Sequence, residues 1–175
     1  HFGQMKVSDL VLMNFDGELV FGNERTGDAA FCIHSEICKS RADIKSIAHA
    51  HPMYGKTFST LGKVLLPISQ DSCAFYERTA MFNDYDGVAN GPDEGINIAK
   101  ALANKDFVIL QNHGILTTGT MVATTVWYFL SMEEACKPQL LAEAVGEPIA
   151  IAHEIGRPTS KYVANEISTV ASLQP

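Results

Sequence analysis

Apolar positions along this chain recur at two spacings, alternate or continuous in short runs and three-to-four apart in longer ones. That mixture predicts an α/β architecture. Leu10 to Phe15 is largely apolar, Asp16-Gly17 marks a tight turn, and Leu19-Val20-Phe21 returns, which is a hairpin signature. Gly22 to Asp28 is polar and predicts a loop. From Ala29 to Arg41, Phe31, Ile33, His34, Ile37 and Cys38 recur at helical spacing, with Asp28 available as N-cap. Asp43 to His51 predicts a strand, Met53 to Gly62 a helix stopped by glycine, and Lys63 to Ile68 a short strand. A polar break at Ser69-Gln70-Asp71-Ser72 precedes Cys73-Ala74-Phe75-Tyr76. Turn-rich residues from Phe82 to Pro92 predict a loop.

The second half is more regular. Asp93 can cap a helix from Glu94 to Ala103, and Phe107 to Leu110 is a continuous apolar run of the kind found in buried central strands. Ile115 to Thr118 predicts a returning strand. The longest helix is expected from Met121 to Val145, ending at Gly146, with Pro138 predicting a kink or a break into two. The tail from Glu147 carries Pro148, Gly156 and Pro158, then a short helix near Ser160 to Ser168. No repeat or low-complexity tract interrupts the pattern, so one α/β domain over residues 1–175 is expected.

Composition narrows the function classes. Apolar residues make up 46% of the chain and charged ones 19%, the balance of a globular protein with a sizeable core. The formal charge is −7 and no Lys/Arg cluster stands out, which argues against nucleic acid as a partner. The apolar stretch around Met121 to Met132 is interrupted by Thr124, Thr125 and Ser131 and is too short to span a bilayer, so no membrane association is expected. Cys32, Cys38, Cys73 and Cys136 form no CxxC pattern. Cys32 and Cys38 fit small buried apolar positions, and the set as a whole points to a reducing, cytoplasmic setting. The chain begins at His1 without a signal-like region, as for an internal start or a lost N-terminal piece.

Chemistry concentrates in two stretches. In Ile44-Lys45-Ser46-Ile47-Ala48-His49-Ala50-His51-Pro52, the two histidines stand one residue apart and share one face of a strand, with Ala48 and Ala50 on the other. Pro52 closes the strand and so places both imidazoles at a sheet rim. His113, in Gln111-Asn112-His113-Gly114, follows a second buried-type strand and is the natural third member. Three neutral imidazoles leave an open position on a divalent ion, the pattern of a catalytic rather than a structural zinc site. Imidazole also suits iron. The plain alternative is a pair of partly buried histidines bonded to backbone at a strand end.

Several segments together resemble the class II aldolase/adducin family. They are Ser40-Arg41-Ala42-Asp43 leading into His49-Ala50-His51-Pro52, then Leu65-Leu66-Pro67-Ile68, then Val108-Ile109-Leu110-Gln111-Asn112-His113-Gly114. The resemblance runs from about Ser8 to Ala144. It implies a three-layer α/β/α sandwich with a largely antiparallel central sheet. It also implies zinc or a related divalent ion on His49, His51 and His113, and a four-fold symmetric homotetramer with sites at subunit contacts. His153 and Tyr162 in the tail would then be placed to complete a neighbour's pocket.

The departures redirect the expected activity. Ala30 stands where the aldolases carry a catalytic glutamate, and Asp28 and Ala29 stand near their phosphate-binding serines. The family's Gly-Asn segment would lie before His1, so the N-terminal part of the family domain is expected to be missing. A sugar-phosphate aldolase is therefore disfavoured. Pro67-Ile68-Ser69-Gln70-Asp71-Ser72-Cys73 resembles a subgroup with decarboxylase-like members, and loss of carbon dioxide from a β-keto acid needs an electron sink more than a base. The expected function is a divalent-metal-dependent lyase on a small oxo or hydroxy acid, decarboxylating or cleaving a carbon–carbon bond through a metal-stabilised enolate. Asp71 is the candidate acid or substrate contact; its alternative is a solvated turn residue. The rival function is an adducin-like, non-catalytic self-association domain.

Overall fold

The structure, a computed structural model, describes residues 2–22, 27–85, 87 and 92–172. In chain order its strands and α-helices are β1 (Leu12–Met13), β2 (Leu19–Phe21), α1 (Asp28–Ser40), β3 (Ser46–Ala50), α2 (Met53–Ser59), β4 (Thr79–Phe82), α3 (Pro92–Leu102), β5 (Phe107–Leu110), β6 (Gly114–Gly119), α4 (Val122–Val145), α5 (His153–Val163) and α6 (Glu166–Ala171). Short 3-10 turns occupy Phe2–Gln4, Val7–Asp9 and Asp71–Phe75. Two compact units carry these elements, residues 1–42 with 87–99, and 43–86 with 100–175.

The first unit holds the hairpin. β1 and β2 pair antiparallel across a turn in which the Asn14 side-chain oxygen accepts the backbone N–H groups of Asp16 and Glu18. Gly17 sits at φ +83°, a conformation that costs glycine nothing. α1 begins with Gly27 at the N-cap, so Asp28 opens the helix instead of capping it. Ile33 and Ile37, one turn apart, are buried. A side chain at Gly95 of α3 would collide with the Cys32 carbonyl of α1, so only glycine permits that backbone approach.

The second unit is built on a four-stranded sheet in the order β3-β6-β5-β4. β3 with β6 and β6 with β5 are antiparallel, and β5 with β4 is parallel. Every residue of β5 is buried, which explains the unbroken apolar run at Phe107–Leu110. Phe58, Phe75, Phe107, Ile115, Tyr128 and Met132 form the centre of the core, drawn from the sheet, α2, α4 and the 3-10 turn. Cys73 and Cys136 are fully buried, while Cys32 and Cys38 are only half-buried, contrary to expectation.

Several elements differ from the sequence expectation. Lys63 to Ile68 has no regular secondary structure and joins no sheet among the described residues. Its Leu66 N–H donates to the Gln139 side chain (2.9 Å), and its Pro67 carbonyl accepts from Ile151 (2.8 Å), so a helix and the tail take the bonds a strand partner would have made. β4 arises where mixed polarity gave no strand signal, because its partner β5 is distant in sequence. α2 stops at Ser59, ahead of Gly62 at φ +63°. α4 continues through the exposed Pro138 as one element without breaking in two. α5 starts at His153, earlier than the helix expected from Ser160, and contains Pro158. The loop expectations at 23–26 and 88–91 lie outside the described residues.

Candidate metal centre

β3 ends at Ala50, so His49 lies in the strand and His51 just past it, while His113 closes the three-residue turn between β5 and β6. The register Ala50↔Ile115 and Leu110↔Gly114 brings that turn against the end of β3. Two backbone features make the corner tight enough. Asn112 adopts φ +57°, which asparagine tolerates better than most residues. At Gly114 a Cβ would sit 2.6 Å from the Ala50 carbonyl oxygen and 3.1 Å from the His51 ring, so a larger residue would push the strands apart.

The outcome is a cluster of three imidazoles. One ligand-capable atom from each of His49, His51 and His113 lies within 4.8 Å of the others, and the ring centroids are 4.6 to 5.2 Å apart. Nδ1–H of His49 donates to the Ile115 carbonyl (3.0 Å), which places that ring's lone pair on Nε2. Burial, then the nearby His51, lowers the pKa of His113, so this ring is neutral near pH 7. Its Nδ1 is buried with no hydrogen-bond partner among the described residues. A neutral His113, a fixed His49 tautomer and a buried nitrogen in want of a partner together make a donor set that fits one divalent ion.

α2 begins directly after Pro52 and is held from α4. Glu133 accepts the backbone N–H of Tyr54 (2.9 Å) and of Gly55 (2.5 Å), tying down the chain that leaves His51. Tyr85, in the segment after β4, brings its ring centroid within 5.8 Å of His113. Sequence reading missed both. A carboxylate inside an otherwise apolar helical stretch could have flagged Glu133, but no spacing or composition signal pointed to Tyr85.

The other candidates lie elsewhere. Asp71 opens the 3-10 turn and is exposed, in a groove with Trp127, Ser131, Glu134 and Lys137 that none of the three histidines lines. Ala30 and the half-buried His34 line a cavity of about 300 Å³ in the first unit with Phe15 and Phe31. His153 shares a 3.1 Å hydrogen bond with the Tyr76 hydroxyl, and Tyr162 is largely exposed.

A model of the Class II Aldolase and Adducin N-terminal domain matches residues 1–140. The chain belongs to this family. It is 35% identical over 175 residues to the decarboxylase NovR of Streptomyces niveus, covering 99% of this chain and 65% of that protein. It is also 35% identical to a 4-hydroxy-3-prenylphenylpyruvate oxygenase/4-hydroxy-3-prenylbenzoate synthase of Streptomyces roseochromogenus subsp. oscitans, covering 99% and 63%. Among solved structures, an L-fuculose 1-phosphate aldolase from Glaciozyma antarctica PI12 superposes with a TM-score of 0.87 at 40% identity, over 97% of this chain and 66% of that one. The chain thus spans just under two thirds of the length of these relatives. The α/β fold with a largely antiparallel sheet, expected of a class II aldolase/adducin domain, is the fold found. Among the described residues, no helix of this domain is long and apolar enough to cross a membrane.

Proposed function

We propose that His49, His51 and His113 hold a divalent ion, and that the protein is a lyase acting on a small oxo or hydroxy acid by decarboxylation or carbon–carbon cleavage. The convergence of three imidazole donors within 4.8 Å carries this reading. Relatives named as a decarboxylase and an aldolase support it. A bound ion would supply Lewis acidity toward an oxo, hydroxyl or carboxylate oxygen. Zinc is the first metal to test. Iron is the second, since imidazole suits it and one relative's name includes an oxygenase.

The chain's own contribution is to orient the donors and to keep His113 neutral. The Ile115 carbonyl sets the His49 tautomer, and burial keeps His113 unprotonated. Asp71 is retained as the candidate acid; its exposure leaves it accessible to a ligand or a second subunit. Residues 1–175 are taken as one family domain working in the cytoplasm as a homotetramer.

The second reading, an adducin-like self-association domain, draws on Ala30, whose methyl group cannot move a proton where the aldolases use a glutamate. Elemental analysis separates the two. The lyase reading expects about one divalent ion per wild-type chain, falling below about a tenth of that in His49→Ala and His113→Ala at unchanged circular dichroism. Turnover of oxo acids should disappear with the ion. A metal-free wild type that still self-associates would establish the rival.

A further inference from the structure

Tyr128 and Tyr85 sit in contrasting settings. Tyr128 is 4% exposed and its hydroxyl donates to the Ala164 carbonyl at 2.8 Å, as expected of a packing residue. Tyr85 does neither. It is 42% exposed, and its hydroxyl makes no hydrogen bond among the described residues. Yet its ring is held beside the imidazole cluster, with its plane inclined 47° to that of His113. The ring is inclined to the histidine instead of stacked on it, and the residue's exposure leaves part of its surface available to a ligand. The cluster itself is open on the His51 side, since His51 is exposed. An aromatic ring whose hydroxyl is uncommitted among the described residues, beside a polar cluster, has an apolar surface and a hydrogen-bond donor to offer the same ligand.

We propose that Tyr85 is a substrate-contacting residue that selects oxo acids bearing a planar, π-conjugated group. The ring packs against that group, and the hydroxyl donates to a substrate oxygen. This rests on the imidazole cluster being the substrate site. The aromatic face supplies the preference and the hydroxyl supplies affinity, so the two contributions can be removed separately.

Calorimetric binding of phenylpyruvate and pyruvate to wild type, Tyr85→Leu and Tyr85→Phe tests it, with the metal content of each protein measured alongside. Wild type should bind phenylpyruvate about fivefold tighter or better, a margin typical of one aromatic contact. Tyr85→Leu should bring the two ligands within about twofold of each other at unchanged metal content. Tyr85→Phe should keep the preference and weaken both ligands about fivefold through loss of the hydroxyl. A preference that survives in Tyr85→Leu overturns the proposal. Should the leucine variant not fold, unweakened binding by Tyr85→Phe overturns it instead. If wild type holds no ion but shows a preference that Tyr85→Leu abolishes, the metal-dependent lyase fails and the tyrosine contact stands. If all three proteins hold the ion and the preference does not move, the reverse is true. Absence of both ion and preference removes both.

Discussion

His34 and His113 respond to the same physics in different settings. Burial lowers the pKa of each, and His113 is lowered further by His51. For His34 the folded value lies below the unfolded one, so between the two the unfolded chain binds more protons. Its contribution is therefore complete above the unfolded value of about 6.5 and is lost as pH falls toward the folded value. Between about pH 7.5 and about 5.5 the wild type should lose more of its urea midpoint than His34→Leu does. Equal losses would show that His34 does not titrate on unfolding. At this scale, the pairing of His49 with His51 was legible from strand alternation alone. Tyr85 was not, because what distinguishes it is nearness to a ring 28 residues away in sequence.

Between elements, the tie that matters most near the cluster is Glu133. Its two carboxylate oxygens accept two consecutive backbone N–H groups at the start of α2, immediately after the His51-Pro52 corner. A glutamine there keeps one acceptor and turns a donor toward the other N–H. Glu133→Gln should therefore destabilise the protein by about 2 kcal/mol in urea unfolding, mostly by leaving one N–H unsatisfied. A change below about 0.5 kcal/mol would mean that solvent satisfies those groups equally well. Local pattern located α1, β3, β5, β6 and α4 because each has an apolar face that its own residues announce. It misjudged Lys63 to Ile68 and passed over β4, since strand formation depends on the presence of a partner. Pro138 removes one donor from α4 without ending it, and proline alone is a poor guide to where a long packed helix stops.

For the whole molecule, α4 turns one side to the core, through Thr125, Tyr128, Met132 and Cys136, and leaves Val122, Val126 and Leu130 exposed one turn apart. That apolar stripe is where the proposed tetramer would be sensitive. Sedimentation should give a four-chain mass for wild type and a smaller one for Leu130→Glu, because a carboxylate cannot be buried there without a partner. An unchanged mass would move the contact elsewhere. Residue order alone was enough to find most helices, the buried central strand and the three candidate imidazoles, since periodicity and residue chemistry are local properties. That the turn after β5 folds back against the end of β3 emerged from the three-dimensional fold. The fold also decided that Glu133 anchors the next helix and that Tyr85 stands at the cluster while Asp71 lies in another groove. Those are distances between segments far apart in the chain, and they are set by strand register and core packing, not by any stretch of residues read alone.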